Sequence, residues 1–261
     1  MTSDLRIATW NVNSLRVRLA QVTQWLSGTP VDVLAMQETK LPDADFPREP
    51  LESLGYHVHC SGQKSYNGVA LLSRRPLEDI TTDIPGFEDP PRRILAATTG
   101  AMRIVNLYVP NGQAVGSVKY EYKLRWLLAL TEWLRGELSR HANVVVLGDF
   151  NIAPEDRDVH DPAAWAGSVH VSEPERLALR ALLETGLVDV FRRFEQPPQT
   201  FSWWDYRTFA FRRNHGLRID LILASTALAA RCSASAIDTG PRRTERPSDH
   251  APVAATFNVE P

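Results

Sequence analysis

Val144-Val145-Val146-Leu147-Gly148-Asp149-Phe150-Asn151 decides the fold, because this apolar, valine-rich run stops abruptly at polar residues. Such a run predicts a buried β-strand that presents polar side chains at its end. In extended backbone, Asp149 and Asn151 point to the same side while Phe150 turns away to pack. We therefore expect a carboxylate and an amide to converge there. Taken alone, a strand followed by an Asx turn towards Pro154 explains the segment at least as well.

Two other apolar segments end in the same way. Ile7-Ala8-Thr9-Trp10 leads into Asn11 and Asn13, and Val33-Leu34-Ala35-Met36-Gln37 leads into Glu38. Capping of a following helix by Asn13 or by the serine after it explains the first segment equally well. A lone glutamate after a strand is usually a solvated loop residue. Three apolar strands that each finish on an oxygen-bearing side chain are nevertheless typical of a sheet that builds a site at its strand ends.

The C-terminal third contains a carboxylate inside an apolar run. Asp220 lies within Gly216-Leu217-Arg218-Ile219-Asp220-Leu221-Ile222-Leu223, and a buried carboxylate needs a partner. The best remote candidate is His250, because an aspartate beside an imidazole fixes its tautomer and raises its basicity. The neighbouring Asp249 is then free to face a metal. Taken alone, Ser248-Asp249-His250 is more often a helix or strand cap than a site.

The order of predicted elements indicates an α/β fold. Residues 56–109 contain several strand candidates with no helix between them, so a purely parallel sheet does not fit. We predict a four-layered α/β sandwich, in which two mixed β-sheets pack face to face and helices cover both outer faces. The predicted strands are residues 5–12, 31–37, 56–60, 69–73, 94–98, 102–109, 143–147, 217–224 and 252–257, and the predicted helices are residues 15–26, 120–138 and 173–183.

Composition indicates a soluble globular protein: 43% of the 261 residues are hydrophobic and 23% are charged. No linker divides the sequence, so we predict a single domain over residues 1–261. Cys60 and Cys232 are far apart and indicate neither a disulfide framework nor a zinc cluster. The start lacks a secretion signal and no run approaches a membrane span, so we expect a cytoplasmic protein that does not associate with membranes.

The net charge of −2 does not indicate nucleic-acid binding, but it does not exclude it either. An enzyme with carboxylates around a metal and cations on its rim can be nearly neutral overall. Each candidate cluster taken alone is more often a solvated face. The clusters are Arg92-Arg93, Arg212-Arg213 with Arg218, and Arg242-Arg243 with Arg246.

The candidate site residues offer oxygen ligands with almost no nitrogen or sulfur, which suits Mg²⁺ or Mn²⁺ and disfavours zinc. Such a site suits phosphoryl chemistry, in which a metal neutralises charge on the phosphorus oxygens and a positioned base activates water. There is no glycine-rich phosphate loop, so nucleoside triphosphate hydrolysis is not expected. The candidate ligands are Asn11, Glu38, Asp149, Asn151 and Asp249.

Together these motifs resemble exonuclease III, in the wider endonuclease/exonuclease/phosphatase superfamily, from about residue 5 to residue 257. Their number and order make the resemblance highly specific. The motifs are Thr9-Trp10-Asn11-Val12-Asn13-Ser14-Leu15-Arg16, Gln37-Glu38-Thr39-Lys40, Tyr66-Asn67-Gly68-Val69-Ala70, Leu107-Tyr108-Val109-Pro110-Asn111-Gly112, Gly148-Asp149-Phe150-Asn151-Ile152-Ala153-Pro154, Leu217-Arg218-Ile219-Asp220 and Pro247-Ser248-Asp249-His250-Ala251-Pro252-Val253.

The resemblance implies a Mg²⁺-dependent DNA-repair nuclease, for which Mn²⁺ is a substitute. It would act on double-stranded DNA with 3′ ends, nicks or abasic sites, as a 3′-to-5′ exonuclease, a 3′-phosphatase or phosphodiesterase, or by cutting 5′ to abasic sites. A monomer is expected.

The resemblance also implies residue roles. Glu38 would be the principal metal ligand, with Asn11 and Asp249 beside it. Asp149 would position or deprotonate the attacking water, and Asn151 would hold water or phosphate. Tyr108 would face the phosphate, and Asp220 would orient His250, which acts either as base or as transition-state stabiliser. The implied substrate-binding residues are Asn13, Arg93, Asn111, His170, Trp203, Leu217 and Ile219.

One position bears on which bond is cut. Trp203, Leu217 and Ile219 align with an apolar pocket that receives an extruded sugar, although Phe201-Ser202-Trp203-Trp204 on its own is a core-forming strand. Relatives that cut at abasic sites often carry a small residue at the position of His170. We therefore hypothesise that this imidazole obstructs extrusion but leaves attack at a 3′ end open. Alternatively, His170 caps the following helix or turns to solvent.

Two other functions remain open. A superfamily phosphatase acting on inositol phosphates or sphingolipids would share the metal, asparagine and histidine core. A catalytically silent DNA-binding or partner-binding module would keep only the fold. Every position expected to carry chemistry holds the expected residue type, which favours an enzyme.

Overall fold

The computed structural model describes residues 3–88 and 90–259, which form two six-stranded sheets. The first sheet has the order β11-β12-β1-β2-β4-β3 and the second the order β5-β6-β7-β8-β10-β9. The strands are β1 (Ser3–Asn11), β2 (Val33–Gln37), β3 (His57–Ser61), β4 (Val69–Ser73), β5 (Glu78–Thr81), β6 (Ile94–Thr99), β7 (Met102–Tyr108), β8 (Val144–Asp149), β9 (Leu187–Asp189), β10 (Asp220–Ser225), β11 (Cys232–Ile237) and β12 (Val253–Val259).

Both sheets are mixed. β1 pairs with β2, and β7 with β8, in parallel, while the other neighbours are antiparallel. Strand β8 is buried on both faces: Val145 and Leu147 pack between the sheets, and Val144 and Val146 pack under the helices. This double burial explains why β8 is apolar at successive positions rather than at alternate ones.

The helices cover the outer faces of the two sheets. Trp25 and Leu26 of α1 pack on the first sheet, and Trp126 and Leu130 of α3 pack on the second. The predicted four-layered sandwich is therefore confirmed. No helix in residues 3–88 and 90–259 is long and apolar enough to cross a membrane. The helices are α1 (Leu15–Gly28), α2 (Glu49–Glu52), α3 (Val118–Arg140), α4 (Pro162–Trp165), α5 (Glu173–Leu183), α6 (Ala210–Arg213) and α7 (Thr226–Ala229).

The predicted elements differ from the structure in several places. Strand β10 begins at Asp220 rather than at Leu217, and the expected strand at residues 201–204 is absent, since within it only Trp203 forms isolated bridges. The short strands β5, β9 and β11 were not predicted. All three are edge strands. They are short and partly exposed, so their sequences show little hydrophobic periodicity.

One glycine allows the two central strands of the second sheet to approach. Gly148 has φ +145°, and a Cβ atom there would lie 1.9 Å from the carbonyl oxygen of Leu107 in β7. Because only glycine fits, Asp149 ends β8 directly opposite Tyr108 and also opposite Asp220, the first residue of β10. In the first sheet, the parallel strands β1 and β2 end side by side at Asn11 and Gln37. These strand ends converge on one edge of the sandwich.

Candidate active site

Two carboxylates meet at this edge, and an asparagine joins them. The Nδ2 atom of Asn11 donates to Glu38 Oε1 and to Asp149 Oδ2, in both cases at 2.9 Å. The Nζ atom of Lys40 lies 2.9 Å from Glu38 Oε2. Ligand atoms of Glu38, Asp149 and His250 all lie within 4.8 Å of one another. The strand ends therefore bring together the acidic group that the sequence predicts.

Asp220 orients His250 as predicted. Nδ1 of the imidazole lies 2.9 Å from Asp220 Oδ2, so Nε2 faces the site, 3.8 Å from Asp149 Oδ2. Burial lowers the pKa of His250, but the carboxylates of Asp220 and Asp149 outweigh it and raise the pKa above its usual value. Burial raises the pKa of Asp149, an effect that His250 opposes. The imidazole thus holds a proton facing a buried carboxylate.

Asn151 reaches the site through a turn. Its backbone N–H donates to Asp149 Oδ1 at 2.9 Å, and its Nδ2 donates to Val109 O at 3.0 Å and to Asp149 Oδ2 at 3.3 Å. Its φ of +50° shows that the extended backbone does not continue past β8. The expectation that extended geometry places Asp149 and Asn151 on the same face was therefore wrong. The backbone forms an Asx turn after Asp149, and the side chains of Asp149 and Asn151 nevertheless converge.

Tyr108 lies against the same carboxylates. Burial, reinforced by Glu38 and Asp149, raises the pKa of the phenol well above its usual value, so the phenol remains a hydrogen-bond donor. The guanidinium of Arg93 lies 4.9 Å from the centre of the Tyr108 ring, and its buried Nε atom has no hydrogen-bond partner among the described residues. A cleft of about 580 Å³ opens beside them, lined by Tyr66, Arg93, Tyr108, Pro110, Asn111, Gly112, Gln113, Lys119 and Tyr122.

Asp249 lies beside this group but has other partners. Its Oδ1 accepts from Asn13 Nδ2 at 2.8 Å, and its Oδ2 accepts from Trp203 Nε1 at 3.0 Å. The alternative that Asn13 or Ser14 caps α1 is wrong, since Ser14 is at the cap position without a side-chain cap bond and Asn13 binds Asp249. A metal role for Asp249 stays a prediction.

The donor set fits a hard divalent cation. Two carboxylates converge with a single neutral amide between them, and oxygen donors of this kind suit Mg²⁺ better than a soft metal. His250 is committed to Asp220 through Nδ1, so only its Nε2 faces the carboxylates. Glu38 and Asp149 are the groups that would hold such an ion. Asn11 turns its Nδ2 towards them while its side-chain oxygen accepts from the backbone N–H of Asn13 at 2.9 Å, so a ligand role for Asn11 stays a prediction.

His170 lies on the apolar side of the site. It is buried with φ +74°, its Nδ1 donates to Asn151 O at 2.6 Å, and its ring centre lies 6.4 Å from that of Trp203. Leu217 and Ile219 are buried beneath this region, with exposed fractions of 0% and 2%. The alternative that His170 caps α5 or faces solvent is wrong, because Ser172 caps that helix.

Two arginines assigned to the rim are internal. Arg218 is buried between Asp158 and Asp189, at 2.6 Å and 2.8 Å, and Arg242 is buried with one guanidinium nitrogen on the carbonyl of Ser248. Both were expected to be exposed. Ion pairs compensate the buried charge of Arg218, and the Ser248 carbonyl binds Arg242, but Arg218 Nη1 and Arg242 Nε have no hydrogen-bond partner among the described residues.

Sequence reasoning missed other polar residues around the site. Lys40 stands in a quoted motif, so its position after Glu38 was a usable signal, and Lys119 extends the cleft. The buried Lys123 had no local signal, because it lies on a helix where a charged residue ordinarily faces solvent. The capping-box pattern of Ser172 and Glu175 was a usable signal for Glu175 at the start of α5, but not for its pairing with Lys123.

The fold and this edge of the sandwich define a class. The chain belongs to the endonuclease/exonuclease/phosphatase family, whose model matches residues 8–250 and whose members depend on metal ions. It is a hydrolase of the exonuclease III type. It is 35% identical to the exodeoxyribonuclease III of Haemophilus influenzae, covering 97% of this chain and 100% of the relative.

Two solved structures are similar over nearly the whole chain. A 3′ phosphatase from Neisseria, bound to a product DNA hairpin, is 46% identical with a TM-score of 0.96, covering 97% of this chain and 99% of that one. An AP endonuclease from Archaeoglobus fulgidus is 40% identical with a TM-score of 0.93, covering 98% and 100%.

Proposed function

We propose that this protein is a magnesium-dependent DNA-repair nuclease whose main reactions are at 3′ ends of double-stranded DNA. These reactions are 3′-to-5′ exonuclease action and removal of 3′ phosphates or phosphodiesters. The observation that carries the proposal is the carboxylate pair of half-buried Glu38 and buried Asp149, which faces the Asp220-held imidazole of His250. Relatives named as an exodeoxyribonuclease III and as a DNA-bound 3′ phosphatase supply the substrate class.

The position of each side chain assigns it a role in the reaction. Asp149 presents a carboxylate to the site and orients or deprotonates the attacking water. His250 points Nε2 at the same place and donates a hydrogen bond to a phosphate oxygen, because Asp220 fixes its other nitrogen. Tyr108 donates a hydrogen bond from its phenol O–H to the phosphate, and Asn151 offers its amide. Glu38 and Asp149 would hold a divalent cation, which would supply positive charge to the phosphate oxygens.

Cations beside the site favour a long polyanion over a small one. Arg93 and Lys119 line the cleft next to Tyr108, and a DNA backbone that passes through it would meet both. These features support DNA over an inositol phosphate or sphingolipid headgroup.

His170 supports a preference for 3′ ends. A deoxyribose extruded from within a duplex would have to reach Trp203, Leu217 and Ile219, and the His170 ring lies next to this apolar surface. A hydrogen bond from its Nδ1 to Asn151 O holds the ring there. We therefore propose that incision 5′ to an internal abasic site is slow in this protein.

Product analysis on three matched duplexes tests the assignment. One carries a 3′ phosphate, one a recessed 3′ hydroxyl and one an internal abasic analogue. We expect turnover of the first two and at least tenfold slower incision of the third, with incision restored in His170→Gly because glycine adopts φ +74° without strain. Rapid internal incision by the unaltered protein would refute the obstruction.

A second test separates an enzyme from a silent DNA-binding module. Asp149→Asn keeps the shape of the side chain and removes its negative charge. We expect turnover to fall by a factor on the order of 10² or more, while DNA binding stays within a few-fold of the unaltered protein. Retained turnover would overturn the role of Asp149.

The metal is tested by thermal unfolding. Because an ion that binds only the folded state stabilises it, Mg²⁺ should raise the Tm of the unaltered protein and Glu38→Gln should abolish most of that rise. Mn²⁺ should act similarly. An equal Mg²⁺-dependent rise in both proteins would exclude Glu38 as a ligand.

A further inference from the structure

A fully buried ion pair lies behind the site. Lys123 in α3 and Glu175 in α5 have no exposed side-chain surface, and Lys123 Nζ lies 2.5 Å from Glu175 Oε1. Such a pair carries a desolvation penalty that its own attraction often only balances. Burial of the ion pair is therefore weak evidence that it serves only to stabilise the fold. The other contacts of Lys123 and Glu175 indicate what the pair does.

The ammonium of Lys123 holds two loop carbonyls. Nζ donates to Asn151 O at 2.7 Å and to Asn111 O at 3.2 Å. Asn151 follows β8 and Asn111 follows β7, so a single cation fixes two connections at the same edge of the second sheet. Asn151 is also in the left-handed region, at φ +50°, which asparagine tolerates better than most residues, and the bond from Lys123 fixes its carbonyl in that conformation.

The carboxylate of Glu175 holds a third loop. Its Oε1 also accepts from the backbone N–H of His170 at 3.1 Å, and its Oε2 accepts from the N–H and hydroxyl of Ser172. Tyr120 supports this arrangement through a 2.6 Å bond between its hydroxyl and that of Ser172. His170, like Asn151, has a positive φ, so the pair secures two of the residues around the site that have a positive φ.

The side chains of these three loops meet in front of the pair. Nδ1 of His170 donates to Asn151 O at 2.6 Å, and Asn111 Nδ2 lies 3.4 Å from both Asn151 Oδ1 and His170 Nε2. We infer that Lys123 and Glu175 are a positioning pair that sets the amide of Asn151 for the reaction and fixes the imidazole of His170 beside it. The kinetic part of this inference rests on the proposed function.

The test removes both charges together. Lys123→Met combined with Glu175→Gln leaves no isolated buried charge, so the double variant should unfold within a few degrees of the unaltered protein. We expect its kcat on a 3′-phosphate duplex to fall at least tenfold, with KM within twofold. The imidazole ¹⁵N resonances of His170 and the side-chain amide resonances of Asn151 should both move.

A matched control is available on the same helix. Arg103 in β7 and Glu137 in α3 form another buried pair, at 2.6 Å, and neither contacts the site residues named above. Arg103→Met with Glu137→Gln should leave kcat and both sets of resonances unchanged. An equal loss of kcat in this control would overturn the inference. Neutralising any buried ion pair would then lower kcat, whatever its contacts with the site.

The remaining outcomes are also decisive. A folded Lys123→Met/Glu175→Gln protein with unchanged kcat and unchanged resonances would overturn the inference. If that variant does not fold, Glu175→Asp takes its place, since its shorter carboxylate keeps the charge paired but cannot reach Lys123 and His170 together. Unchanged kcat and resonances in Glu175→Asp would also overturn the inference. If the unaltered protein does not hydrolyse DNA, the proposed function is refuted. The resonances of His170 and Asn151 then test the positioning role without kinetics.

Discussion

Asp220 acts on the site through one imidazole nitrogen. Its carboxylate lies 2.9 Å from Nδ1 of His250, and this is the contact that leaves Nε2 facing Asp149. A neutral amide at position 220 would accept the same N–H or donate to the ring, so the tautomer would no longer be fixed. The chemistry at His250 therefore depends on a residue that does not itself meet the substrate.

Asp220→Asn should reduce kcat on a 3′-phosphate duplex by a factor on the order of 10² or more, with KM changed little. The physical reason is loss of the correctly oriented, charged imidazole. Steady-state kinetics on the unaltered protein and the variant measures the effect. Ser202→Ala is a useful control, because its hydroxyl accepts from the backbone N–H of Asp220 and does not contact the imidazole. A kcat in Asp220→Asn within threefold of normal would contradict the assignment.

His170 carries a consequence for stability in acid. Burial, assisted by the nearby charge of Lys123, lowers its pKa from 6.5 to about 3. Above pH 6.5 the ring is neutral in both the folded and unfolded chains. As the pH falls below 6.5, the unfolded chain takes up a proton that the folded chain refuses down to about pH 3. The free energy of unfolding must therefore decrease over this range.

His170→Asn removes that titration, and asparagine tolerates a positive φ. We expect the unfolding free energy of the unaltered, metal-free protein to fall more steeply with acidification than that of the variant. The two slopes should differ by up to about 1.4 kcal/mol per pH unit. Urea titrations between pH 7 and pH 4 provide the measurement. Parallel plots of unfolding free energy against pH for the two proteins would show that burial does not lower the pKa of His170.

At the scale of elements, the contact between β7 and β8 places Asp149. Gly148→Ala would set a Cβ atom 1.9 Å from the carbonyl oxygen of Leu107 and would strain a backbone with φ +145°. We expect a loss of unfolding free energy on the order of 3 kcal/mol, together with reduced turnover. Gly136→Ala in α3 is the matched control, because its nearest atom is a side-chain nitrogen 4.0 Å away. That change should stabilise the helix slightly, and equal behaviour of the two variants would refute the close-approach argument.

The same scale shows what the sequence could predict. Strands such as β8 and helices such as α5 follow from long, consistent hydrophobic patterns, and the polar residues that end β1 and β8 and follow β2 lie together in the structure. The Asx turn after Asp149 was one of the two interpretations of this segment, and the structure contains it. The hydrogen bonds from Lys123 and His170 to the Asn151 carbonyl did not follow, because these residues are remote in sequence. The interior positions of Arg218 and Lys123 likewise depend on carboxylates from other elements.

At the scale of the whole molecule, the net charge of −2 and the proposed DNA substrate are compatible only if the cations are arranged locally. Several arginines that could have formed a basic surface are internal, including Arg103, Arg218 and Arg242. Arg93 and Lys119 instead line the cleft beside Tyr108. Binding of DNA should therefore depend on a few positions rather than on the overall charge.

Lys119→Ala should lower the slope of log Kd against log salt for duplex binding by about 0.9, because one fewer phosphate contact releases one fewer counterion. Arg135→Ala is the control: this exposed arginine pairs with Glu132 and lies on the same helix, roughly 24 Å further along at 1.5 Å per residue. Its removal changes the net charge identically and should leave the slope unchanged. Fluorescence anisotropy at several salt concentrations measures both variants. Equal slopes would mean that net charge governs binding, and the cleft would then have no special part in it.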